Sequence, residues 1–70
     1  MNTQVRIFEK DGFLAMLKVE ENLAGKHEGM ICLRNTFEDA NKALVAYQTA
    51  STNAVSDGWK ILWEGTPQYG

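Results

Sequence analysis

Residues 36–51, TFEDANKALVAYQTAS, constrain this chain more than any other stretch, because they read as one amphipathic helix entered directly from a short apolar strand. With Leu44 at the centre of a helical wheel, Phe37, Ala40, Tyr47 and Ser51 fall on its side, the i, i+3, i+4, i+7 stripe of a core-facing helix. Glu38, Asp39, Lys42 and Thr49 fall opposite. Asn35 or Thr36 is placed to cap the helix, with Glu38 or Asp39 following in a capping-box position. Both carboxylates would sit in the first turn, where the macrodipole favours them. Glu38 before Lys42 adds roughly 0.2–0.5 kcal/mol as an i, i+4 pair. Ser51, Thr52 and Asn53 are weak helix formers, and Gly58 is the first residue suited to a left-handed C-terminal position. The helix is therefore expected from Thr36 to at least Ser51, fraying or continuing to about Ser56.

Strands surround it. Residues 4–9 (QVRIFE) and 13–20 (FLAMLKVE) flank Lys10-Asp11-Gly12, and Asp-Gly between two β-type runs signals a hairpin. Leu, Ala, Met, Lys and Glu would also suit a helix over 13–20. The turn immediately before it, and the alternation of Phe13, Ala15, Leu17 and Val19 with their neighbours, select a strand. Residues 21–29 (ENLAGKHEG) hold two glycines among charged side chains and read as a solvated connection. Residues 30–34 (MICLR) form a short strand leading into the helix, and 59–64 (WKILWE) alternate strictly after Asp57-Gly58. The tail, 65–70, is expected to be irregular, since Pro67 cannot donate to a ladder. The expected fold is a single small α+β domain of order β-β-β-α-β, an antiparallel sheet with one helix packed on one face.

Parity then divides the sheet. Taking the more apolar alternate set of each strand as the core face gives Val5 and Ile7, then Phe13, Ala15, Leu17 and Val19. Ile31 and Leu33 follow, and last Trp59, Ile61 and Trp63. The other face would carry Arg6, Phe8, Leu14, Met16, Lys18, Met30, Cys32, Arg34, Lys60 and Leu62, beside Gln4, Glu20 and Glu64, with no second helix to cover it. A contiguous apolar patch of that kind marks an interaction surface. The same face would hold four of the chain's seven basic residues. The candidate partner-binding residues are thus Arg6, Phe8, Leu14, Met16, Lys18, Met30, Arg34, Lys60 and Leu62.

Other chemistry has little foothold. A metal site needs three or four convergent ligands, and nothing around His27 has ligand spacing, so neither a metal nor a cofactor is implied. His27 reads as a solvated loop side chain, and Cys32 as a half-buried thiol without an activating base. Glu20-Glu21 and Glu38-Asp39 diverge as sequence neighbours do, so neither makes an acid–base dyad. No nucleophile elbow or phosphate-binding glycine loop is present. Trp59 and Trp63 could stack bases, but their shared alternation with Ile61 reads as core. A single Cys suits a reducing, cytoplasmic setting, and no run has the length of a membrane span. The net charge of −2 gives no global drive toward nucleic acid or membrane.

Three strands running into Phe37, Ala40, Ala43 and Tyr47 resemble integrase arm-binding domains. The β-β-β-α-β order with Lys10-Asp11-Gly12 at its first turn is similar to the HicB-type antitoxin domain, whose Pro-Gly-Cys stretch has no counterpart at residues 25–30. These likenesses imply fold alone. The expectation is a non-catalytic protein-interaction module, of the small regulator or inhibitor kind, that forms a homodimer or binds another protein through the bare face. The alternative is a nucleic-acid binder using Arg6, Lys18, Arg34 and Lys60 near phosphates.

Overall fold

Asp11 and Gly12 both adopt positive φ, 52° and 83°, the backbone that a two-residue turn between twisted strands requires. They join β1 (Thr3–Lys10) to β2 (Phe13–Glu20) in an unbroken antiparallel ladder from Thr3↔Glu20 to Lys10↔Phe13. The computed structural model describes residues 3–28 and 31–66, except for the side chains of Ile31 and Cys32. Beyond β2 the chain turns again at Glu21-Asn22, with Glu21 at φ 52°, and returns as β3 (Leu23–Glu28). β4 (Ile31–Thr36), helix α1 (Ala40–Ser56) and β5 (Lys60–Gly65) follow.

The architecture is α+β: five antiparallel strands in the order β4-β3-β2-β1-β5, with α1 on one face. The helix crosses from one edge strand to the other. β3 is a correction to the sequence reading, which made 21–29 a solvated connection. Its glycine and charged residues suit a strand that α1 covers only in part, and Gly25 leaves room for its neighbour. The Arg34 Cγ lies 3.0 Å from where a Gly25 Cβ would stand.

Helix α1 begins later than its apolar stripe suggests. Thr36 ends β4, and Asp39 is the N-cap, its Oδ1 accepting from the Lys42 N–H at 2.9 Å. Glu38 lies outside the helix yet still pairs with Lys42 Nζ at 2.6 Å. The buried face is centred on Ala43, Tyr47 and Ser51, while Ala40 is exposed and Leu44 half-buried. The small Ala43 allows close approach to the sheet. The helix runs to Ser56, the far end of the expected range, and Gly58 follows at φ 96°, where Gly58 N–H bonds to Val55 O and Trp59 N–H to Ala54 O, both at 3.0 Å.

The core lies between α1 and the middle of the sheet: Phe8, Ala15, Leu17, Val19, Ala43 and Tyr47, with Phe37, Leu44 and Trp59 packed at its margin. In β2 the expected parity holds for Ala15, Leu17 and Val19, although Phe13 at the strand end is 72% exposed. In β1 it is reversed. Phe8, 1% exposed, faces the helix, and Val5 and Ile7 lie on the other side. The larger ring fills the space beneath α1. Arg6, on the same side as Phe8, sets its guanidinium 5.1 Å from the centre of the Tyr47 ring and its Nε 3.0 Å from Glu64. The β1–β5 register slips between Ile7 and Phe8, so Ile61 pairs with Phe8 while Trp63 pairs with Ile7. That bulge at Leu62 sends Ile61 and Glu64 to the helix side and Trp63 to the other, against strict alternation.

Candidate functional site

The surface opposite α1 is built by register alone. Cross-strand partners in an antiparallel sheet share a face, so the pairs His27↔Met16, Met16↔Ile7 and Ile7↔Trp63 define one row across β3, β2, β1 and β5. Beside it runs a second row: Arg34, Gly25, Lys18, Val5 and Gly65. On the other flank stand Leu14, Glu9 and Lys60. The middle of the face, from β2 to β5, is therefore apolar, with charges of both signs around it.

Exposed apolar side chains occur on both sides of the sheet, with Phe13, Leu33 and Ile61 on the helix side. Leu14 is 59% exposed, Leu62 56% and Trp63 45%. Met16 and Ile7 are half-buried between their neighbours, and Val5 is buried beside Lys18. The Trp63 ring folds back over Gly65, 3.1 Å from where a Cβ would stand. Ile7, Leu14, Met16 and His27 line a shallow open depression of about 540 Å³. Among the described residues no helix or strand packs over this side.

The candidate residues distribute as follows. Leu14, Met16, Lys18, Arg34 and Lys60 lie on the open face as expected, and Leu62 is the unpaired residue of the bulge between Ile61 and Trp63. Arg6 and Phe8 do not. Phe8 is core and Arg6 is engaged with Tyr47 and Glu64 on the helix side, so both leave the candidate site. Met30 and the side chain of Cys32 lie outside the described residues. Sequence reasoning missed Ile7, Trp63 and His27, which sit in the central row. Phe8 as the largest residue of its strand was the available signal for the first, whereas nothing in WKILWE announces a bulge.

Electrostatically the face is mixed. Lys18 pairs with Glu20 at 3.4 Å, and Lys60 stands across from Glu9, whose carboxylate accepts from the Gly12 N–H at 3.0 Å. Arg34 lies over Gly25 toward Lys18. With Arg6 on the other side, the cations here no longer form the set that a phosphate-tracking surface would use. On the helix side, Tyr47 has its pKa raised by burial, an effect that Arg6 opposes and Glu64 reinforces.

His27 is half-buried in β3 rather than solvated in a loop. Among the described residues no group of three or more His, Cys, Asp or Glu could hold a metal ion. No helix among them is long and apolar enough to cross a membrane. No protein-family model, no curated protein and no solved structure matches this chain.

Proposed function

We propose that this chain is a non-catalytic protein-interaction module, a small regulator or inhibitor, that binds protein through the sheet face opposite α1. The observation that carries the reading is the central row of Met16, Ile7 and Trp63. Exposed Leu14 flanks it, and no described element lies over it. An apolar middle with a charged rim is the anatomy of a protein-binding patch, and exposed apolar side chains grouped on one face mark such patches. The cations support the same reading, because Lys18 and Lys60 stand beside carboxylates instead of forming a single-sign stripe.

The test compares substitutions on the two sides of the molecule. Met16→Lys on the open face is expected to abolish retention of the protein partner, self or other, in capture from native cells. Val45→Lys on the outer side of α1 is expected to leave it intact. Retention unaffected by Met16→Lys, in a variant that keeps its β-sheet circular dichroism, contradicts the reading.

A further inference from the structure

We infer that the occupant of this face is a second copy of the same chain, packed sheet against sheet across a twofold axis along the row of Met16, Ile7 and Trp63. The inference rests on the docking role proposed above and names its partner.

Three observations carry it. The first is thickness. The molecule measures 34 × 29 × 20 Å, and the short dimension is that of one sheet and one helix. So thin a chain of 70 residues has a small core for its length. Stacking a second sheet about 10 Å away would turn Leu14, Met16 and Trp63 into interior residues of a helix–sheet–sheet–helix assembly.

The second is area. Stable complexes remove about 800 Å² from each partner. The molecule's two longer dimensions, 34 by 29 Å, bound a side broad enough to supply an area of that order. A short peptide would leave much of it uncovered.

The third is charge, which also selects the axis. A twofold parallel to the strands through β2 would set Lys18 on Lys18 and Glu20 on Glu20 of the other copy; through β1 it would set Glu9 on Glu9. An axis along the row avoids all three. It carries Lys18 across to the Leu14 position of the other copy, one strand from that copy's Glu9. Met16 and Ile7 then meet their own counterparts near the axis, where apolar side chains are self-complementary.

Sedimentation equilibrium over a dilution series, with circular dichroism as the folding control, tests this. Wild type is expected at twice 7.9 kDa. Met16→Lys and Met16→Glu, each bringing like charges together on the axis, are expected to be monomeric alone and to form a dimer when mixed. Leu14→Lys, at a more exposed position set against Lys18 of the other copy, should weaken the dimer, and Leu14→Glu should not. That pair decides the matter should a Met16 variant fail to fold. Wild type that stays monomeric throughout overturns the second copy as occupant and leaves the docking face to its own test. A wild-type dimer that survives both Met16 variants overturns the face as well. Monomeric Met16 variants that do not combine overturn the axis.

Discussion

Phe8 and Arg6 decide which side of β1 belongs to the core, and both can be tested singly. Phe8→Ala removes the most deeply buried ring among the described residues and leaves a cavity beneath α1. The expected loss is about 3–5 kcal/mol by urea denaturation, enough to unfold much of a domain this small. Leu62→Ala at the exposed bulge is expected to cost less than about 0.5 kcal/mol. Similar losses at both positions would contradict the assigned faces. Arg6→Ala removes an aromatic contact and a partly exposed ion pair, with an expected loss of about 1 kcal/mol. It should also change Tyr47. Burial raises the Tyr47 pKa above 10.0, and the Arg6 charge lowers it. The folded state thus holds the phenol proton more tightly than the unfolded chain. The associated stability is present below the unfolded value and is lost as pH climbs through the folded one. In alkaline absorbance titration, the wild-type curve minus that of Tyr47→Phe should show ionisation above 10.0, and Arg6→Ala should move it higher. A shift downward in Arg6→Ala would refute the arrangement.

At the scale of elements, two short connections determine where the strands and α1 meet. Asn22, in the β2–β3 turn, bonds twice to Phe37: its carbonyl accepts from Phe37 N–H at 2.8 Å, and its Nδ2 donates to Phe37 O at 3.2 Å. This pins the chain as it leaves β4 for the helix. Asn22→Ala is expected to cost about 1 kcal/mol. Gly58→Ala forces a side chain into φ 96° and should cost about 1 kcal/mol. Thermal unfolding followed by circular dichroism measures both, and an unchanged midpoint in either would speak against that connection's role. These elements also show what was legible in the sequence. Asp11-Gly12 and Gly58 announced their turns, because only a few residue types accept positive φ cheaply. The stripe of α1 was visible, but its start was not. Glu38 and Asp39 resemble a first helical turn, whereas Asp39 is the cap and Glu38 precedes it. β3 was hidden because Glu21 is an uncommon residue for φ 52° and because Lys26, His27 and Glu28 look like loop. Its pairing partners, not its own composition, make it a strand. The candidate face was legible in β2, where alternation is clean. It was misread in β1 by two side chains and in β5 by one bulge.

For the molecule as a whole, one helix over five strands leaves the sheet unevenly covered. α1 lies over β2 and β3, so Leu33 and Ile61 remain exposed at the edges of the helix side, and Leu14 and Trp63 on the other. The opposite face differs from the helix side in having no covering element among the described residues and in gathering its apolar side chains at its middle. Burying that middle would add a second core to a chain whose first is small, so its stability should rise with protein concentration if the occupant is another copy. The most direct measurement is a methyl spectrum recorded with a soluble paramagnetic probe. At high concentration, the Leu14 and Met16 methyl signals should be protected from the probe and the Val45 and Val55 signals bleached, with the Leu14 and Met16 protection fading on dilution. Bleaching of all four at every concentration, or protection of Val45 and Val55 instead, would contradict a second copy of the chain seated on the open sheet face.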